Sequence, residues 1–396
     1  MDDRRVYIVS DKHFPHGDAG GNRIEYMATC FKEEGVQPYV ISLGENVSQE
    51  YNQQRGFYQY GDIRYKNVVF KSNKVSRFQH YFKSGSAAGR ILCEFGVRNN
   101  DRIIIYSSNP IFIKQVLRFL TKEQQTRVFY DVVEWDDKNS FKYGYLDPRY
   151  WIFAWCFYGI YASSNGVIAI SRNIQRYFTN RGVDTTYFPI CLDATAFVGV
   201  EHTRNSTDKI RLIYPGNPQH KDDISIMLEA LDALSKEERE QIEFHFTSVK
   251  ESRIRAIMGP KTPILDRLAN TIYFHPWLEY SDLLALYGSI DALFMLRFDN
   301  QVSQSNFPSK VPELLACGVT VLANDVGDFF NFLSDGVDAL KIKSNTVDGC
   351  VETLRRYIAL TADERRKMAD AALRCANEKF HYTKYAKSLV DFVFRN

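Results

Sequence analysis

The sequence has no run of about 18 apolar residues, the length a membrane-spanning helix needs, so no segment reads as a span. Its seven cysteines (Cys30, Cys93, Cys156, Cys191, Cys317, Cys350 and Cys375) are odd in number and scattered, with no CxxC or zinc spacing. That pattern speaks against a disulfide framework and fits a reducing compartment. Charge of one sign is also lacking: 50 Lys and Arg face 48 Asp and Glu, a formal net of +2, so no nucleic-acid partner is expected. No cluster of potential metal ligands stands out, and the eight histidines are dispersed. The first five residues run into a strand pattern, Val6–Val9, without the apolar stretch of a signal peptide. The expected location is cytoplasmic, with peripheral attachment at the inner face of the cell membrane as an option.

What is present is length and alternation. At 396 residues the chain exceeds the roughly 250–300 residues at which one core stops growing, which predicts two domains. Strand-length apolar runs alternate with amphipathic helical segments. Strands are predicted at Val6–Ser10, Tyr39–Ser42, Arg102–Tyr106, Arg127–Val133 and Val167–Ile170, with helices at Asn22–Glu34, Ile111–Leu120 and Ile174–Asn180. A polar stretch, Glu201–Asp208, reads as a linker. The alternation restarts with strands at Ile210–Tyr214, Ile242–Thr247, Thr271–Phe274, Ala292–Leu296 and Val319–Ala323, and a helix at Ile224–Leu234. Helical patterns follow at Ala362–Glu378 and Lys384–Val393. The fold class is therefore α/β, with two Rossmann-like, doubly wound parallel-sheet domains spanning 1–195 and 208–378. Ligands of such sheets bind beyond the carboxyl ends of the strands, and a central cleft between two facing domains is the expected site.

The richest loop runs from Asp299 to Lys310, between a strand and a helix over Ser309–Cys317. Ser309 is the expected N-cap, Pro312 is tolerable in the first turn, and Gly318 fits the C′ position. Such a helix start suits a diphosphate, and Glu313 in the next turn suits two vicinal hydroxyls such as those of ribose. A capped surface helix with a solvated Glu313 is the plain alternative. The segment Ser305-Asn306-Phe307-Pro308-Ser309-Lys310-Val311-Pro312-Glu313, continuing to Gly318 and on through Asn324, Gly327 and Asp328, resembles the donor-binding signature of family 4 retaining glycosyltransferases. These have the GT-B fold and include many enzymes of capsule, O-antigen and exopolysaccharide assembly. Glu313 matches the family's ribose-binding glutamate. Ser305 stands where a second, sugar-contacting glutamate often falls, and some polysaccharide-type members share that departure.

The resemblance implies a nucleotide-diphosphate sugar donor, with UDP as one option, bound by the second domain. It implies a glycan or lipid-linked saccharide acceptor bound by the first, and a last segment, 379–396, packed back on that domain. It implies transfer with retention, no metal or other cofactor for the chemistry, and domain closure to assemble the site. Gly216, Asn217 and Lys221 sit in a loop, 215–222, that resembles the family's Gly…Lys diphosphate loop. Arg297 is a second candidate phosphate ligand, or a structural ion pair. Trp277, after Thr271–Phe274, is placed to stack on a base or simply to pack. The resulting donor set is Gly216, Asn217, Trp277, Ser305, Asn306, Phe307, Pro308, Ser309, Lys310 and Glu313. Lys221 and Arg297 would meet the charge that develops on the leaving phosphate.

In the first half, Pro15–Arg23 lacks the GxGxxG spacing of a dinucleotide site. It resembles the family's N-terminal glycine-rich loop, carried here by Gly20, Gly21 and Arg23. Asp131 and Glu134 end a strand, where carboxylates face the predicted site. Glu134 is the candidate for orienting the acceptor hydroxyl and Asp131 for a buried structural role. Residues 65–90 and 149–161 interleave basic and aromatic side chains and are candidates for membrane contact, although a solvated face with core aromatics explains the first equally well and a buried helix explains the second better. Other functional classes are a sugar-nucleotide epimerase on the same fold and a catalytically silent scaffold.

Overall fold

The computed structural model describes residues 4–15, 18–44, 56–69, 76–201, 203, 209–218 and 221–395. The chain divides into two compact units, one formed by Met1–Leu192 with Tyr382–Asn396 and one by Asp193–His381. Both are α/β units built on largely parallel sheets.

Among its described residues the first unit holds eight strands: β1 (Arg5–His13), β2 (Gln37–Leu43), β3 (Tyr58–Tyr60), β4 (Ile63–Val68), β5 (Arg102–Tyr106), β6 (Val128–Val132), β7 (Val167–Ala169) and β8 (Thr185–Tyr187). Their order is β3-β4-β2-β1-β5-β6-β7-β8, parallel throughout except for the β3–β4 pair. Both faces are covered, which is why the central strands read as unbroken apolar runs. Alternate residues go to opposite cores: Tyr7, Val9, Ile103 and Ile105 to one, Val6, Ile8 and Ile104 to the other. The helix Ala19–Glu33 and the last helix, Thr383–Val393, lie on the second of these faces.

The second unit holds β9 (Ile210–Tyr214), β10 (Ile242–Thr247), β11 (Ile272–His275), β12 (Ala292–Met295), β13 (Thr320–Asn324) and β14 (Ala339–Ile342), in the order β11-β10-β9-β12-β13-β14 and all parallel.

In each sheet the strand order reverses once, between β1 and β5 and between β9 and β12. Loops leaving the carboxyl ends of two such strands turn opposite ways and open a crevice, so these two places are where ligands are expected.

Candidate functional site

In the second unit the crevice is formed by the loop after β9 and the loop after β12. They are laced together: Asp222 and Arg297 form an antiparallel bridge, the Phe298 amide donates to the Lys221 carbonyl at 3.0 Å, and the Asp223 amide to the Leu296 carbonyl at 2.9 Å. Asn324, at the end of β13, fixes Arg297 from the other side. It accepts from the Arg297 amide at 3.0 Å and donates to the Arg297 carbonyl at 2.7 Å.

These constraints bring Lys221, Arg297 and Asn306 together. Lys221 Nζ donates to Asn306 Oδ1 at 3.3 Å, and Arg297 Nη1 donates to the Asn306 carbonyl at 3.0 Å. Arg297 is 1% exposed, with its Nε 3.4 Å from Asp222 Oδ1 and its Nη2 without a hydrogen-bond partner. Burial pushes its pKa down, against the opposing pull of Asp222. A buried guanidinium with an unused N–H group is costly unless something accepts from it.

Gly216 has φ 88°, a left-handed conformation that suits glycine, and its amide donates to Thr247 Oγ1 at 3.0 Å. Asn217 lies in the same loop, and Gln219 and His220 fall outside the described residues. Gly327 (φ 68°) presses against the loop after β12; a Cβ there would come within 3.0 Å of the Ser303 carbonyl and 3.3 Å of the Asn306 carbonyl.

The helix after this loop spans Lys310–Ala316 and ends in a Schellman turn, with the Val319 amide on the Leu314 carbonyl at 2.9 Å and the Gly318 amide on the Leu315 carbonyl at 2.8 Å. Gly318 takes the expected C′ place with φ 69°. Ser309 takes the expected N-cap place, but its backbone is helical and its side chain makes no capping hydrogen bond; the Pro308 carbonyl just before it accepts from the Val311 amide at 3.1 Å. Glu313 is partly buried and accepts from Lys310 Nζ at 3.2 Å.

Two residues of the expected donor set are buried in the same loop. Ser305 is completely buried, so its short side chain has no surface to offer a sugar. Phe307 is 5% exposed and packs on Phe329, Phe332 and Phe380 with ring centroids 5.0–5.6 Å apart, a core role set by its size. Trp277 is 71% exposed after β11, open to a stacking partner.

In the first unit, a cavity of about 380 Å³ opens at the β1–β5 reversal. Its walls include Lys12, Asp18, Gly20, Tyr106, Asp131, Glu134 and Arg149. Asp18 caps the helix Ala19–Glu33 by accepting from the Gly20 amide at 2.9 Å. Gly21 is required for the close approach of that helix to β1, since a Cβ would meet the His13 carbonyl at 2.7 Å. Glu134 is exposed on the cavity wall, whereas Asp131 is buried.

Arg23 is the clearest correction. Its guanidinium holds both Asp131 oxygens at 2.7 Å and donates to the carbonyls of Phe188 and Pro189 at 2.9 and 3.0 Å. It is 5% exposed, and its forks are spent on joining three segments, not on a ligand phosphate. Asn324 was named only within the resembling segment and Asp222 only within the 215–222 loop, without a role for either, and Tyr106 was not singled out. Asn324 carried a signal, since a lone Asn ending an apolar strand has to find partners; Asp222 and Tyr106 carried none beyond position.

No group of three or more His, Cys, Asp or Glu is arranged for a metal ion among the described residues, and no described helix is long and apolar enough to cross a membrane. The part of the 65–90 segment at residues 70–75 lies outside the described residues, as do the side chains of 76–81; within the rest, Lys66 pairs with Glu94 at 2.6 Å.

No curated protein sequence matches this chain significantly. Among solved structures, a glycosyltransferase from Rickettsia africae is similar over 100% of both chains at 14% identity, with a TM-score of 0.68. HepE from Anabaena, in complex with UDP and glucose, is similar over 99% of this chain and 100% of its own at 12% identity and TM-score 0.66. WaaG, a glycosyltransferase involved in lipopolysaccharide biosynthesis, is similar over 98% and 99% at 14% identity and TM-score 0.64. Residues 227–391 match a family described as glycosyl transferase-like. The chain thus has the GT-B fold, and its residues 227–391 are similar to the glycosyl transferase-like family.

Proposed function

We propose that the protein is a glycosyltransferase that moves a sugar from a nucleotide-diphosphate donor to a glycan or lipid-linked saccharide, with retention, in the assembly of a bacterial surface polysaccharide. The observation that carries the donor assignment is the cluster of Lys221, Arg297 and Asn306 at the β9–β12 reversal, with Arg297 Nη2 unsatisfied. A diphosphate supplies acceptor oxygens and negative charge to such a cluster, and the same cations then meet the charge left on the departing phosphate. Glu313 suits the ribose hydroxyls and Trp277 the base. On this reading the protein's own cations serve where other transferases use a metal ion, and the acceptor's proton passes to the leaving phosphate. HepE, of similar fold, was crystallised with UDP and glucose, which favours UDP as the first nucleotide to try.

A ligand that binds only the folded state raises the melting temperature with its concentration. A panel of nucleoside diphosphates and their sugars is expected to contain one that does so here, and Glu313→Ala is expected to abolish that shift. If none shifts the melting temperature, the donor reading fails. The burial of Ser305, in place of a sugar-contacting glutamate, favours one second reading: a scaffold that keeps the fold without turnover. Slow hydrolysis of a labelled donor without acceptor separates the two, since a scaffold shows none. Anomeric retention is read by NMR of the product.

A further inference from the structure

The helix Pro148–Ala154 and the π-helical turn Trp155–Ile160 that continues it have two unlike faces. Phe153, Cys156 and Phe157 point inward and are buried. Trp151, Trp155 and Tyr158 lie on the opposite side, 61%, 46% and 43% exposed. The preceding turn adds Tyr143, Tyr145 and Leu146, the last 89% exposed. Isolated exposed apolar residues are ordinary, but six within sixteen positions form a patch that calls for a partner.

The patch is held in shape. Trp151 Nε1 donates to the Tyr145 carbonyl at 2.8 Å, and Trp135 Nε1 donates to the Tyr158 hydroxyl at 3.1 Å. Asp147 caps the helix and holds Arg149 at 2.6 Å. The charges are sorted as well. Lys114 lies over the Trp155 ring at 4.1 Å, Lys142 over Tyr143 at 5.2 Å and Lys138 over Tyr145 at 5.5 Å. The nearby acids are used elsewhere: Asp147 and Asp137 cap helices, and Glu134 and Asp136 line the cavity. The face therefore presents aromatic bodies with polar tips, ringed by lysine ammonium groups.

We propose that this face seats the protein on a phospholipid bilayer. Trp and Tyr prefer the depth of the headgroups, where the ring is in an apolar setting and the N–H or O–H in a wet one. Lysines beside them meet the lipid phosphates, with added attraction when the leaflet carries net negative charge. Leu146 enters furthest. Ile152 and Phe153 of the same helix wall the cavity at the β1–β5 reversal, so the bilayer surface adjoins the place where Lys12 and Glu134 meet a ligand.

The test is flotation of the full-length protein with vesicles of phosphatidylcholine, with and without phosphatidylglycerol. Binding is expected to both, more strongly to the second, with a blue shift of tryptophan emission. Leu146→Ser/Trp151→Ser/Trp155→Ser is expected to lower the bound fraction by about tenfold or more and to remove the blue shift, with Trp135 and Trp277 still present. Lys114→Glu/Lys138→Glu/Lys142→Glu alters only exposed positions and is expected to abolish the preference for phosphatidylglycerol, which keeps the test usable if the first variant fails to fold. Three results would overturn the proposal: no flotation of the wild type with either vesicle, flotation of the serine variant equal to wild type, or a dimer in solution that the serine variant dissociates while vesicles bind neither. Nucleotide-induced melting shifts report on the second unit and stand or fall independently.

Discussion

Two buried arginines show why the identity of a residue does not settle its use. Arg23 and Arg297 both sit beside loops that invite a phosphate, and both face an aspartate. Arg23 makes a bidentate pair with Asp131 and two further bonds to carbonyls, so its donors are engaged. Arg297 makes one bond to the Asn306 carbonyl, stands 3.4 Å from Asp222 and keeps Nη2 unused. Removing one member of a buried pair costs about 3–5 kcal/mol, because the other is left charged and unpaired, whereas replacing both with apolar groups is often neutral. Arg23→Ala is therefore expected to destabilise the first unit by that amount, and Arg23→Met/Asp131→Leu to recover most of it, as read by urea unfolding. Lost turnover in Arg23→Ala at unchanged stability would show instead that Arg23 serves a ligand. The sequence left Arg297 open between a phosphate ligand and an ion pair and allowed Asp131 a buried structural role, but it did not join Asp131 to Arg23, 108 positions away, and a serine such as Ser305 carries no signal of burial.

At the scale of elements, legibility followed hydrophobic continuity. β5, β9 and β10 occupy the predicted ranges to the residue, because a strand covered on both faces is an apolar run with a clear start and stop. β3, β4, β8 and β14 escaped. β8 is Thr-Thr-Tyr at a sheet edge, and β4 interrupts its apolar positions with Arg64, Lys66 and Asn67. The loop after β12 was legible as a site by its motif, but not its anchoring by Asn324 and Gly327, which depends on contacts between strands. Another such contact joins β10 to β11: His245 Nδ1 lies 2.8 Å from His275 Nε2, so the two imidazoles share a proton and both favour neutrality. Burial, and then His275, hold the pKa of His245 down at about 4, with Glu243 pulling the other way; burial lowers that of His275. The unfolded chain protonates these rings near pH 6.5. Between the two values the unfolded state binds more protons, so stability is full above about 6.5 and falls as the pH drops toward 4. For His245 the loss between pH 7 and 5 amounts to about 2 kcal/mol. His245→Gln is expected to flatten the fall in melting temperature over that range; a variant whose melting temperature falls as steeply as wild type would show that other groups drive the acid sensitivity.

At the scale of the whole molecule, the first unit is discontinuous in sequence. The chain leaves it at Leu192 and re-enters at Tyr382, after the entire second unit has been made. The returning segment is not a loose tail. Ala386, Leu389, Val390, Phe392 and Val393 are buried, Phe392 packs against Phe129 at 5.4 Å, and the Val393 carbonyl accepts from Arg102 Nε at 2.9 Å. At about 1.5–3 kcal/mol for each large apolar side chain, their burial approaches ~10 kcal/mol, comparable to the ~5–15 kcal/mol that separates a folded domain from its unfolded state. A chain ending at His381 is therefore expected to hold the second unit folded and the first unfolded or molten. Of the four tryptophans, Trp135, Trp151 and Trp155 belong to the first unit and Trp277 to the second. Limited proteolysis of the truncated chain should then leave a resistant core covering roughly 193–381, with any nucleotide-dependent rise in melting temperature retained by that core. A truncated chain whose first unit resists the protease as the full chain does would mean that the face covered by Thr383–Val393 contributes little. The apolar residues packed beneath that helix, Val6, Ile8, Ile24 and Phe31 among them, argue for the opposite outcome, because without it they would meet water.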